Sequence, residues 1–515
     1  MINKSFMSSL AVIAMLASPS ALAQTASGVD GLAARAAEKG SVRVIVSFAE
    51  PATAAASVAA ATPESTATAD AAHRAALRAT QRAILASAFG SATAEAAVNA
   101  TEGATLDGRS VRLMDVVPMM ALSVTQDELK KLASDPRVTA INEDGLSKPD
   151  LNQSTGLIKM SGAAGAWAKG ALGTNRVVAI LDTGVNKNHE FLKFNTAASK
   201  VISEACYNTK DATTYGSYSR CPGGGTSATG AGAGADCTAY DGCGHGTHVA
   251  GIAAGRNSSL NGAEPVRGVA PNASIIAVNV FSRFDRNHSS YPCGYGATKD
   301  CLLSWTSDQI LALERVYALR NSLGVRKISA VNMSLGGGAY SGYCDGDSRK
   351  TVIDKLRNAG IAVVISSGNS SYRTQVGAPG CISTATTVGA SSKSSGANVE
   401  KIASYSNSGM QVDVLAPGGD YPYPSPLGMA ALIRSSYKGS NATYEYLAGT
   451  SMAAPHVTGA FAAIKSKAAC ANKTVAQIEA AMKSTGKAIA DTRSGGSYTR
   501  KRIDVAATMN ALGCP

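Results

Sequence analysis

Four short runs of nearly unbroken apolar residues constrain the fold of this chain more than any other feature. They are 177–181 (Val-Val-Ala-Ile-Leu), 275–280 (Ile-Ile-Ala-Val-Asn-Val), 328–331 (Ile-Ser-Ala-Val) and 361–365 (Ile-Ala-Val-Val-Ile). Each is followed by a glycine-containing or polar turn, and segments of helical character, 308–320 and 352–358 among them, lie between. A strand that alternates apolar and polar residues buries one face. A strand that is apolar throughout buries both, as in parallel strands covered by helices on either side. The expectation for residues 151–515 is therefore an α/β domain of three layers with a mostly parallel central sheet. In such sheets the reacting groups gather beyond the carboxyl ends of the strands.

The first 150 residues read differently. Lys4 precedes the apolar stretch 10–17, and Ala21-Leu22-Ala23 supplies small residues for cleavage, so residues 1–23 read as a secretory signal peptide cut after Ala23. The stretch is shorter than the roughly 20 residues that cross a bilayer, and no later segment qualifies. An exported protein without a membrane span is expected. Residues 24–150 predict a small α+β domain, with strands at 42–46, 111–117, 119–124 and 138–141. A helix is expected around 71–88, inside the Ala/Thr/Ser-rich segment 51–104, and a short one over 127–132. Charge follows the same division: 13 basic and 15 acidic residues in 1–150 against 35 and 21 in 151–515. The basic surplus does not point to specific nucleic acid binding, because no basic run exceeds Arg500-Lys501-Arg502 and no aromatic-interleaved motif accompanies it.

All ten cysteines lie at or after Cys206. An even number in an exported chain reads as disulfides, and the absence of a C-x-x-C pair argues against a zinc ribbon. Short loops favour Cys221–Cys237 and Cys293–Cys301, leaving Cys206–Cys243, Cys344–Cys381 and Cys470–Cys514.

Three motifs sit where chemistry is expected. The run 177–181 leads straight into Asp182-Thr183-Gly184, and a carboxylate at the end of a buried strand needs a partner to offset its desolvation. Gly244-His245-Gly246-Thr247-His248 opens a helix of small residues. His245, at its start, faces both a substrate and a carboxylate, whereas His248, a turn further on, is expected to be packed or hydrogen-bonded. Their spacing is not that of a zinc-binding His-Glu-x-x-His. Gly449-Thr450-Ser451-Met452-Ala453-Ala454-Pro455 places Ser451 at a helix start, where unpaired N–H groups meet a developing oxyanion. A serine hydroxyl is a weak nucleophile and needs a histidine base oriented by a carboxylate. A lipase or esterase would carry Gly-x-Ser-x-Gly; here Ala453 stands at the second glycine. A non-catalytic binding protein on the same fold would need a broken constellation.

With Gly268-Val269-Ala270-Pro271, 332–337 and Ser367-Gly368-Asn369, these stretches resemble the subtilisin family of serine endopeptidases over most of 151–515. The resemblance implies a subtilisin-like fold, a secreted monomer and a catalytic triad of Asp182, His245 and Ser451 with Asn369 in the oxyanion hole. It implies protein or peptide substrates, held along Ser334, Leu335 and Gly336, and a first pocket floored by Gly377 that prefers large apolar residues. It also implies structural calcium, held by Asp413 and the carbonyls of Gly380, Ile382 and Ala385, and no organic cofactor. Asp236 and Asp345, in longer loops, stay open as further cation ligands. Residues 24–150, above all 111–144, resemble the family's inhibitory propeptide, which assists folding, plugs the active site and is cut off, here near Asp150–Leu151. Longer loops near 204–240, 281–305 and 420–446 are expected to shape the cleft.

Overall fold

The computed structural model describes residues 26–49, 51, 63–99, 105–107, 109–113, 118–143, 151–195, 197–256, 267–393, 400–420, 431–493 and 498–514. The signal segment and the expected cut at Asp150 lie outside them. The chain divides into two compact units, Met1–Ser147 and Lys148–Pro515.

The first unit holds a five-stranded sheet of β1 (Val42–Phe48), β2 (Thr105–Leu106), β3 (Arg109–Leu113), β4 (Met119–Val124) and β5 (Val138–Glu143), in the order β2-β3-β4-β1-β5. Its pairings are antiparallel. β1 alternates as a one-sided strand should: Val44, Val46 and Phe48 are buried. They pack in one core with Leu77, Ile84 and Leu85 of α2 (Pro63–Phe89) and with Leu129 and Leu132 of α4 (Gln126–Ser134). α4 is stopped at its start by a capping box of Thr125 and Glu128. Two helices went unforeseen, α1 (Ala26–Lys39) and α3 (Ser91–Asn99). Both are Ala-rich with few large apolar residues, so packing of Leu32, Ala94 and Ala97 defines them rather than a strong apolar stripe.

The second unit begins with α5 (Leu151–Leu157) and is built on a ten-stranded sheet. In chain order its strands are β6 (Arg176–Asp182), β7 (Val201–Tyr207), β9 (Ser227–Thr229), β10 (Ser274–Asn279), β13 (Lys327–Met333), β15 (Ala362–Ser366), β17 (Thr386–Ser391), β18 (Val414–Pro417), β21 (Lys487–Ala490) and β22 (Thr499–Arg502). They are ordered β21-β22-β18-β17-β15-β13-β6-β10-β7-β9, parallel except for the outermost strand at each edge. Smaller sheets join β8 (Ser217–Tyr218) to β11 (Ser282–Phe284) and β12 (Cys301–Leu303), β14 (Gly337–Tyr340) to β16 (Val376–Ala378), and β19 (Ile433–Ser436) to β20 (Tyr444–Leu447).

The apolar runs are explained by two cores, one on each face of the large sheet. From β6, Val178 and Ile180 enter one core with α6 (His245–Ala254), α9 (Thr450–Lys465), α10 (Val475–Thr485) and α11 (Val505–Ala511). Val177, Ala179 and Leu181 enter the other, with α7 (Thr306–Leu319) and α8 (Lys350–Asn358). Each such aliphatic side chain taken out of water contributes about 1.5–3 kcal/mol, so alternation disappears where both faces are covered. The α/β expectation is met.

Five disulfides close within the second unit: Cys206–Cys221, Cys237–Cys243, Cys293–Cys301, Cys344–Cys381 and Cys470–Cys514. The expected Cys221–Cys237 and Cys206–Cys243 are corrected. The chain after β7 returns Cys221 to Cys206 before it reaches β9, and Cys237 closes on Cys243 over a separation of only 6 residues, the shortest loop available.

Candidate active site

Parallel strands deliver the site. Asp182 is the last residue of β6 and is fully buried. Its Oδ1 accepts from the N–H of Thr183 at 2.8 Å and bonds Nδ1 of His245 at 2.8 Å. That fixes the ring by one nitrogen and leaves Nε2 for the cleft, which His245 lines at the first residue of α6. Burial pushes the His245 pKa down, but the Asp182 charge and hydrogen bond, with the charge of Asp236, reverse this and leave it above the ordinary imidazole value. His248 lies buried against the carbonyl of Glu445 at 3.1 Å, and burial holds its pKa at about 3. It is a packed neutral ring, as expected.

Ser451 is the second residue of α9, and Pro455 stands not in the first turn but further in. A proline has no N–H for the carbonyl four residues back, so the carbonyl of Ser451 would go unpaired. The hydroxyl of Ser334 donates to it at 2.8 Å, and Ser334 is itself held by Nδ2 of Asn332 at 2.9 Å. The Ser451 hydroxyl donates to the carbonyl of Ser334 at 3.4 Å. Asn369 follows β15, and its Oδ1 accepts from both the N–H and the hydroxyl of Thr450, at 2.9 and 2.8 Å. With the oxygen so occupied, the amide Nδ2 is the group left to donate. The loop bearing Asn369 is braced by Asn407, whose Oδ1 accepts from the N–H groups of Ser370 and Tyr372 while Nδ2 donates to the carbonyl of Ser367.

His245, Ser451, Asn369, Ser334, Leu335 and Gly336 line one cleft of about 820 Å³. Phe281, Leu302 and Leu303, from the disulfide-closed segment around 281–305, also line it, so that insertion forms part of the wall. Gly377 is not among the residues that line this cleft. Its neighbour Ala378 is, while a Cβ on Gly377 would meet the backbone N and O of Gly337 at 3.3 Å, across the β14–β16 pair.

The expected cation donors are engaged otherwise. Asp413 Oδ1 pairs with Nζ of Lys483 at 2.5 Å, and Oδ2 accepts from the N–H of Thr387 at 2.8 Å. The carbonyl of Gly380 accepts from the hydroxyl of Thr387 at 2.5 Å, and that of Ile382 from the N–H of Ala385 at 3.1 Å. With an ammonium already on its one carboxylate, the set Asp413, Gly380, Ile382 and Ala385 does not fit calcium. Asp345 is held by Ser383 through its N–H and hydroxyl, and Asp236 by four donors described below. Lys483→Ala is expected to lower the melting temperature by only ~1–3 °C, because the lysine side chain is 46% exposed. It should also make calcium raise the variant's melting temperature more than the wild type's, since a bare carboxylate then faces the carbonyls. Equal calcium responses in scanning calorimetry would show that Lys483 does not stand in for a cation.

A buried carboxylate on an imidazole, a serine at a helix start and an amide donor, all at the carboxyl ends of parallel strands, define a serine hydrolase of the α/β class. Comparison with known proteins narrows the class. The model of the subtilase family, the S8 peptidases, matches residues 173–502, and the chain belongs to that family: it is a subtilisin-like serine endopeptidase. It is 30% identical to subtilisin E of Bacillus subtilis over 363 residues, which are 70% of this chain and 74% of that one. It is also 30% identical to an extracellular protease of Xanthomonas campestris over 413 residues, 76% of this chain and 64% of that one. Among solved structures, a protease of Pseudoalteromonas arctica aligns with a TM-score of 0.50 at 28% identity, covering 70% of this chain and 96% of that one.

The motifs do not announce the hydrogen-bonding roles of Thr450, Asn407, Thr183 and Asp236, nor the grip of Ser334 on Ser451. Only the missing N–H of Pro455 gave a signal, because it demands a foreign donor for the Ser451 carbonyl.

Proposed function

We propose that the chain is a secreted endopeptidase made as a zymogen, with residues 1–23 as signal peptide, 24–150 as inhibitory and folding-assisting propeptide, and 151–515 as a monomeric peptidase. Asp182, His245 and Ser451 form the triad. The observation that carries this reading is the 2.8 Å bond from Asp182 to His245 beside a cleft that Ser451 and Asn369 also line. The Ser451 hydroxyl turns from Ser334 to Nε2 of His245, which takes its proton as Oγ attacks the peptide carbonyl. Asn369 Nδ2 and the Ser451 N–H, free in the first helical turn, donate to the oxyanion. His245 returns the proton to the leaving amine, and water releases the acyl group by the same steps.

The α+β build of the first unit and its small acidic surplus against the basic second part support the propeptide reading. Absence of a membrane-crossing helix among the described residues is compatible with export. Gly336 and Ala378 line the cleft with nothing larger than a methyl group, and Leu335, Phe281, Leu302 and Leu303 add apolar wall beside polar Gln309 and Arg349, which supports room for large apolar residues. We assign no metal to Asp413.

The reading is tested by labelling with a serine-directed fluorophosphonate and mapping the adduct by mass spectrometry. Phosphonylation of Ser451 in a chain that starts near Leu151 is the expected result; a label on any other serine, or none, overturns it. Asn369→Leu is expected to lower kcat for a peptide amide about 10²–10³-fold, a range set by subtilisin itself, with KM little changed. A kcat within threefold of wild type would remove Asn369 from the oxyanion site.

A further inference from the structure

Asp236 lies partly buried ahead of α6, outside any helix or strand. Its Oδ1 accepts from the N–H of Cys237 at 2.7 Å, the N–H of Gly244 at 3.1 Å and the hydroxyl of Thr183 at 3.4 Å; its Oδ2 accepts from the hydroxyl of Thr247 in a short bond. Both hydroxyls are committed as donors. The oxygen of Thr183 already accepts from the N–H of Gly246 at 3.0 Å, and that of Thr247 from the N–H of Asn186 at 2.9 Å. Four donors converge on one carboxyl, and their hydrogen bonds favour its ionised form against the burial that raises its pKa.

The partners are what give this carboxylate meaning. Thr183 directly follows Asp182, Gly244 directly precedes His245, and Thr247 stands two residues after it. One side chain therefore fastens the end of β6 to the first turn of α6, the two elements that carry the acid and the imidazole. The approach is close: a Cβ on Gly246 would lie 2.1 Å from the carbonyl oxygen of Gly184 and 3.1 Å from Cβ of Asp182. Gly244, which precedes the helix at φ 91°, offers no side-chain cap of its own. The Cys237–Cys243 disulfide closes the intervening loop beside the carboxylate.

We propose that Asp236 is a positioning residue for His245, holding the start of α6 in register with Asp182 and placing a second negative charge behind the imidazole. The inference rests on the reading of His245 as the catalytic base. Arg220 is a cation that acts on this charge; its guanidinium donates to the carbonyls of Thr183 and Phe281, both at 3.1 Å. Tyr240 of the disulfide loop and Tyr437, packed on Gly244, are titratable neighbours. On the far side a cavity of about 290 Å³ brings Lys438 and the Lys187–Glu204 pair, joined at 2.6 Å, toward Asp236. Burial raises the Asp236 pKa, opposed by its hydrogen bonds and Arg220; its charge in turn raises that of His245.

The test is Asp236→Asn, which keeps the volume and removes the charge. Per phosphonate-titrated active site, kcat for a soluble peptide amide is expected to fall about 10-fold with KM within twofold, because small displacements of a catalytic group are costly. Loss of a negative neighbour lowers the imidazole pKa, and the base must be neutral. The acid limb of kcat/KM is therefore expected to move to lower pH by about half a unit. A purely structural residue would change the number of active sites without moving that limb. An unmoved limb with kcat within twofold of wild type overturns the proposal. If Asp236→Asn does not fold, Thr247→Val keeps the charge and cuts one tether: a several-fold drop in kcat with the limb in place supports positioning, and an unchanged kcat overturns it. Wild type is labelled in the same run. No adduct on its Ser451 would remove the underlying mechanism, whereas labelled wild type with indifferent variants removes only the role of Asp236.

Discussion

Ser451→Ala is expected to fold and to lose hydrolysis of casein, kcat falling about 10⁶-fold, a scale set by subtilisin itself. Little in the structure depends on the hydroxyl: its one hydrogen bond is a long 3.4 Å contact to Ser334, while the backbone of Ser451 keeps the 2.8 Å bond that compensates for Pro455. Alanine is also a better helix former than serine. The oxyanion donors Asn369 and the backbone N–H survive, so the residual rate should sit above that of water rather than at zero. The same variant reads maturation. Mass analysis should find wild type as a chain starting near Leu151, and Ser451→Ala still carrying residues 24–150. A mutant that trims itself and digests casein would place the nucleophile elsewhere.

Asp182→Asn is expected to lower kcat at neutral pH by about 10⁴-fold with KM nearly unchanged. The Oδ1 position is held as an acceptor by two donors, the N–H of Thr183 and Nδ1 of His245, while Oδ2 is buried with no hydrogen-bond partner among the described residues. An amide must therefore either bury its NH2 at the Oδ2 position without an acceptor or turn it toward Nδ1 and force the wrong tautomer. Both remove the charge that stabilises the imidazolium formed during attack. An unsatisfied buried NH2 also costs about 1–3 kcal/mol of stability, visible as an earlier thermal transition. A loss of less than tenfold at pH 7, per titrated active site, would take Asp182 out of the mechanism.

The central sheet was legible because burial on both faces writes itself into consecutive residues, as in Val177 to Leu181. Asp182, His245 and Ser451 were legible for a related reason. Each directly ends a strand or opens a helix, so the local motif states both residue and placement. What failed depended on proximity across the chain. Asp241, three residues before Gly244, faces solvent 3.7 Å from Lys299, while Asp236, across a disulfide loop from the motif, accepts from the N–H of Gly244. The resemblance names Gly377 as the pocket floor, and only the β14–β16 pairing reveals that its neighbour Ala378 lines the cleft while Gly377 packs on the backbone of Gly337. Lys483 is far in sequence from Asp413, and no pattern announces that an ammonium meets that carboxylate. Asn407 lies in a polar stretch indistinguishable from an ordinary loop until its amide is seen bracing the segment around Asn369.

The five disulfides join residues of the second unit only, and residues 1–205 contain no cysteine. No disulfide therefore joins the first unit to the second, and the main chain is their one covalent link. If the first unit inhibits the second as proposed, one backbone cut between them turns that inhibition from an intramolecular contact, at an effective concentration in the millimolar range, into a bimolecular one. The two pieces then obey mass action, so dilution into a larger volume is enough to part them, with no reductant required.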